Sequence, residues 1–120
     1  MNFLAELTAL LSGIAPIETG VFSDAAPDEY IVITPLADTF ALFGDNKPDF
    51  DEQEARISIF SRNNYLSLKN RVIAALLTAD FTITARRYIE CEDRTGYFHY
   101  TIDVLKIYPA SDAGGNQTEG

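Results

Sequence analysis

The residues best equipped for chemistry are few. His99 is the single histidine and Cys91 the single cysteine in 120 residues. As types they form a nucleophile and its base, in which an imidazole takes the thiol proton and frees a thiolate to attack. No motif supports that use. Cys91 stands in the polar stretch Glu90-Cys91-Glu92-Asp93-Arg94-Thr95, and His99 stands in an alternating run, where a half-exposed strand histidine is the simpler reading. With one histidine, no second imidazole is available for a metal. The carboxylates of Asp45-Asn46-Lys47-Pro48-Asp49-Phe50-Asp51-Glu52 have spacings that invite calcium. They lack the glycine at the sixth loop position and the glutamate at the twelfth that an EF-hand needs. Asp24, Asp28 and Glu29 precede a strand without a partnered base, and Gly114-Gly115 is too far into the C-terminal stretch to form a phosphate loop. The expectation is a protein without catalytic residues, bound metal or cofactor.

Charge is distributed more informatively than its total. Nine Lys and Arg against 18 Asp and Glu leave a net charge of −9, which argues against the phosphate backbone as a tight ligand. Residues 1–55 hold 11 acids and only Lys47, a net of −10. Residues 56–120 hold seven acids and eight bases, a net of +1. The acids thicken in 38–54, with Asp38, Asp45, Asp49, Asp51 and Glu52. Arg86, Arg87, Arg94 and Lys106 make the one basic cluster. A subunit with one acidic and one mixed surface suits heterologous contacts that close a ring.

These groups need a scaffold, and the periodicities supply one. Residues 2–13 keep Phe3, Leu4, Leu7, Leu10 and Leu11 on one face, with Asn2 to cap the helix and Gly13 to end it. Ile17 to Phe22 reads as a short strand. Tyr30 to Thr34 is apolar or β-branched throughout, as in a strand covered on both faces, with Pro35 ending its ladder. Residues 38–54 lack periodicity and read as a long functional loop. The organising unit is residues 55–77: Ala55, Ile57 and Ile59 alternate as a strand, Asn64 caps, and Tyr65, Leu68, Val72 and Leu76 recur at helical spacing. Phe81 to about Tyr88 is a fourth strand, Glu90 to Gly96 a hairpin turn, and Tyr97 to Tyr108 the last strand. In that last strand the apolar phase slips after Val104 to Leu105 and Ile107, which suggests a bulge or a burial switch.

The order α-β-β-β-α-β-β implies one α+β domain over 1–108, an antiparallel sheet of four to five strands with two amphipathic helices on one face. Residues 109–120 have no apolar anchor and read as a disordered tail. No apolar run nears the roughly 20 residues that cross a bilayer. Residues 1–14 are apolar on one face only, and Glu6 without a preceding base argues against a signal peptide. A soluble cytoplasmic protein without a membrane role is expected.

Several pieces carry a resemblance in their order and phase. They are the N-terminal amphipathic helix, Tyr30-Ile31-Val32-Ile33, the acidic stretch ending in Glu54-Ala55-Arg56-Ile57-Ser58-Ile59-Phe60-Ser61, the helix Leu68…Val72…Leu76-Leu77, and the ending Glu92-Asp93-Arg94-Thr95-Gly96-Tyr97-Phe98-His99-Tyr100-Thr101-Ile102-Asp103. Across most of residues 3–108 this resembles the tail completion or tail terminator proteins of long-tailed bacteriophages. The resemblance implies a non-catalytic virion protein of the tail and neck, made in the host cytoplasm. It implies a ring, commonly a hexamer, seated on the last ring of the tail tube protein and offering a surface to the head-tail connector protein. It places residues 38–54 toward the lumen, so that Asp38, Asp45, Asp49, Asp51 and Glu52 would face DNA that passes without specific binding. Arg86, Arg87, Arg94 and Lys106 would then meet a neighbouring subunit. From another class, a monomeric acidic binding module or DNA-mimic inhibitor also fits the charge.

Overall fold

The computed structural model describes residues 3–18, 27–43 and 47–109, except for the side chains of 37–43, 47–50 and 109. In chain order the elements are α1 (Phe3–Leu11), β1 (Ile17–Glu18), β2 (Glu29–Phe43), β3 (Lys47–Ser61), α2 (Tyr65–Thr78), β4 (Thr82–Cys91) and β5 (Phe98–Pro109). The five strands form one sheet in the order β1-β2-β3-β5-β4. The α+β class and the order of elements match the sequence reading. One correction concerns strand direction. β1 pairs parallel to β2 through Ile17–Ile31 and Glu18–Val32, so the sheet is mixed. Residues 19–22, expected to continue β1, lie outside the described residues, as do Asn2 and the tail 110–120.

Alternation builds the core. Ala55, Ile57 and Ile59 of β3 and Tyr100, Ile102 and Val104 of β5 are buried on one sheet face. Phe3, Leu7 and Leu11 of α1 and Leu68, Val72 and Leu76 of α2 close over them in the same cluster. Side chains three or four positions apart share a helix face and those two apart share a strand face, so one face of each element is emptied of water. Phe3 meets Phe81 and Tyr108 at ring separations of 6.0 and 6.4 Å, pinning the start of α1 to the sheet. The opposite face carries no helix among the described residues. There Tyr30, expected to be covered by a second layer, instead stacks on Phe60 at 4.7 Å.

The helix ends follow capping chemistry. Asn64 Oδ1 accepts from the Ser67 amide at 3.2 Å, the cap expected from the sequence. At the other end Asp80 has φ +66°. Its N–H donates to Leu77 O at 3.2 Å, and the Phe81 N–H donates to Leu76 O at 3.0 Å. That is a Schellman closure, with buried Phe81 supplying the apolar contact. α1 runs into a turn at Ser12, where Gly13 does not take a positive φ.

Two long strands replace two expected breaks. β2 does not stop at Pro35 but continues to Phe43, with a register shift between Pro35 and Ala37. Among the described residues the far side of β2 is open past Val32, and an edge with a bulge is where a strand tolerates proline. The expected slip in β5 is absent: its register with β3 runs unbroken from Phe98 to Pro109. Leu105 and Ile107 simply point to the helix-free face, and the irregularities lie in β4, between Ile83 and Ala85 and between Tyr88 and Glu90.

Candidate functional site

The acidic segment read as a loop is an arm of paired strands. Asp38 lies opposite Gln53, Thr39 opposite Glu52 and Phe40 opposite Asp51, and the pairing runs on to Phe43 opposite Lys47. Residues 44–46, including Asp45, lie outside the described residues. Each strand has 15 residues, roughly 50 Å at about 3.3 Å per residue. β3 has its β5 partner only as far as Phe50. The distal end of the hairpin therefore stands beyond the three-stranded part of the sheet.

Strand alternation divides the carboxylates. Asp51 shares the helix-side face with Ala55 and is buried, and its Oδ2 accepts from Gln53 Nε2 at 2.9 Å. Glu52 and Glu54 occupy the helix-free face next to Arg56. The backbone places Asp38 and Asp49 on β2 and β3 within the same arm.

The structure divides the basic cluster as well. Arg86 and Arg87 sit mid-strand on β4, and Arg94 lies in the β4–β5 turn. All three are exposed and make no ion pair among the described residues. Lys106 belongs to the far end of the same hairpin and is engaged within the chain. Its Nζ lies 2.7 Å from Glu6 Oε2 and donates to Ala79 O at 3.1 Å, over the Phe81 ring at 4.6 Å. Nearly all of β4 is exposed, and among the described residues its only strand partner is β5.

His99 and Cys91 are not assembled into a reactive pair. His99 registers with Glu90, and Cys91 with Phe98. The imidazole stacks on Phe60 at 4.2 Å, and its Nε2 is buried without a hydrogen-bond partner. Burial pushes its pKa below the ordinary value, more strongly than the carboxylates of Glu92 and Glu90 pull it up. A group so placed stacks, and among the described residues its Nε2 meets no proton partner. Cys91 is exposed and borders an open depression over the hairpin turn, with Glu90, Glu92, Asp93, Arg94 and Thr95. Among the described residues no group of three His, Cys, Asp or Glu could hold a metal ion.

Sequence reasoning passed over the charged groups that tie the elements together. Arg56 and Asp103, direct partners across β3 and β5, form a two-pronged bridge at 2.8 and 3.1 Å on the helix-free face. Glu6 holds Lys106 and Tyr108 at once. The trace of the first in the sequence is a polar residue in the outward phase of each strand, which looks like any solvated position, whereas Lys106 follows Tyr100, Ile102 and Val104 in the inward phase of β5. Among the described residues no helix is long and apolar enough to cross a membrane. Comparison with known proteins finds no family model that matches the chain and no curated protein similar to it.

Proposed function

We propose that this chain is a structural subunit of a phage tail completion or tail terminator ring, closing the tail tube and meeting the connector at the head-tail junction. The observation that supports it best is the β2–β3 arm. A hairpin of two 15-residue strands reaches past β5, in a region that holds Asp38, Asp45, Asp49, Asp51 and Glu52 against Lys47 alone. In a ring such arms present carboxylates to the pore. Like charges repel the phosphates of passing DNA, where arginines would hold them by releasing counterions. Buried Asp51 takes least part in that display. The mixed surface of β4, with Arg86, Arg87 and Arg94, is left for protein contacts, while Lys106 serves inside the fold.

Light scattering of the chain alone, and mixed with a tail tube protein, tests this reading. A ring in either condition is the expected result. Replacing Asp45, Asp49 and Glu52 together with Lys should leave the ring intact and reduce DNA passage or infectivity. A chain that stays monomeric in both conditions overturns the proposal, and competition of that monomer with DNA for a basic protein would establish the acidic-inhibitor reading instead.

A further inference from the structure

The sheet has two open edges, and they differ. At one end β4 bonds, among the described residues, only to β5. At the other, β1 covers β2 only at Ile31 and Val32, so residues 33–43 of β2 form an open edge among the described residues. That stretch is close in length to the ten residues of β4. An uncovered edge of this length is a ready template for another strand.

Exposed apolar side chains occur on β4 and on the outer face of α2. Leu66 and Leu77 of α2 and Tyr88 and Ile89 of β4 each keep 40% or more of their surface exposed. Arg71 points the other way, toward β2, with Nη2 3.7 Å from Glu29 Oε1. At about 100° per residue Leu66 and Leu77 lie roughly 120–140° around the helix from it and about as far from the buried Leu68, Val72 and Leu76, so they face outward. Tyr65, nearer the buried stripe, reaches β4, its ring 5.7 Å from that of Tyr88.

We infer that β4 of one subunit pairs with the residue 33–43 edge of β2 in a second copy of this chain. Charge selects that occupant. Two copies of β4 meeting antiparallel would set Arg86 and Arg87 against Arg87 and Arg86 of the other copy at the centre of the ten-residue strand, and like charges directly opposite are destabilising. Residues 33–43 of β2 carry Asp38 and no Lys or Arg. Direction agrees. β2, β3, β5 and β4 are each antiparallel to the next, so β4 runs opposite to β2. With no offset along the strands Thr82 would lie level with Ala37 and Cys91 with Glu29. In a neighbour generated by rotation about an axis inclined to the strands, as in a closed barrel, β2 meets β4 antiparallel with the offset that brings residues 33–43 against it. The contact uses different surfaces on its two sides, so repetition closes a ring or extends a filament. This inference rests on the self-assembling reading above and adds which edges meet.

Hydrogen exchange of the assembled chain tests it, together with the Arg86→Glu/Arg87→Glu variant. In the assembly, the outward amides of β4 and of residues 33–43 should exchange at least tenfold more slowly than in the dilute monomer. The double variant, whose changed side chains are exposed, should keep the wild-type melting temperature and need at least tenfold more protein to assemble. Adding Asp38→Lys should restore assembly. An assembly in which β4 exchanges as fast as in the monomer, or a double variant that assembles like wild type, overturns the edge pairing and leaves the ring reading standing. Protection of β4 only in a complex with tube subunits, without rescue by Asp38→Lys, also overturns the second copy as occupant. A chain monomeric under every condition overturns both.

Discussion

His99 stacks on Phe60 at a ring separation of 4.2 Å and an interplanar angle of 21°, while its Nε2 is buried without a partner. The fold thus favours the neutral imidazole, and its pKa lies below the ordinary 6.5. Above pH 6.5 neither the folded nor the unfolded chain carries the charge, and there is no penalty. Below it the unfolded chain takes up the proton first, so stability falls until the folded pKa is passed. His99→Phe keeps the stack and removes the titration. Its melting temperature should match or exceed wild type at pH 7.5, and it should lose less than wild type on going to pH 5.5. Equal losses would remove His99 from the account.

Glu6 carries the opposite kind of shift. Burial alone would raise its pKa. Hydrogen bonds from Lys106 and Tyr108, with the Lys106 charge, outweigh burial and hold it below 4.5. A carboxylate lowered in the fold stabilises above its unfolded value, and that contribution disappears as pH falls through the folded one. Glu6→Gln should destabilise by about 0.5–1 kcal/mol at pH 7, the range of partly exposed ion pairs. The difference from wild type should shrink below pH 4.5. Urea titrations at pH 7 and pH 3.5 measure both.

Among the described residues two positions take a left-handed backbone, and only one of them is glycine. Asp80 has φ +66° and Gly96 +77°. Asp80→Gly should stabilise by about 0.5–1 kcal/mol by removing the Cβ strain. Gly96→Ala should destabilise by about 1 kcal/mol through the backbone alone, since a Cβ there meets nothing nearer than Arg62 Cδ at 3.9 Å. Thermal melts of the two variants should move in opposite directions.

Leu7 is fully buried between α1 and the sheet. Leu7→Ala should cost about 2–5 kcal/mol, the transfer term plus the cavity left behind. Denaturant unfolding should show a lower midpoint with an unchanged slope. A cost under about 1 kcal/mol would mean that α1 is not docked in solution.

How far these features are legible in the sequence depends on what sets them. The unit from Ala55 to Leu77 is readable because burial on one face imposes periods of two and 3.6 that no turn interrupts, and Asn64 announces the helix start. The distal half of β2 is not. There Pro35, and Pro48 on the facing strand, look like breakers, and the pairing that overrides them comes from a partner strand rather than from local propensity. The direction of β1 cannot be read either, since a two-residue strand has no pattern to orient. The division of the acidic segment follows from alternation once the strand is known: Asp51 turns inward and Glu52 outward. Lys106 illustrates a different limit, because a basic residue on the same predicted hairpin as Arg86 and Arg87 reads as their companion until its contact with Glu6 is visible.

The contact between the first helix and the last strand also has a consequence in time. Glu6 and Lys106 are 100 positions apart. At roughly 5–20 residues per second of synthesis, Glu6 waits about 5–20 seconds before its partner exists. Throughout that interval Phe3, Leu7 and Leu11 have no finished sheet to lie on. The nascent chain thus carries an adhesive N-terminus until its final strand emerges, and a ribosome stalled short of Lys106 would leave that greasy stripe open to whatever chaperone or neighbour reaches it first.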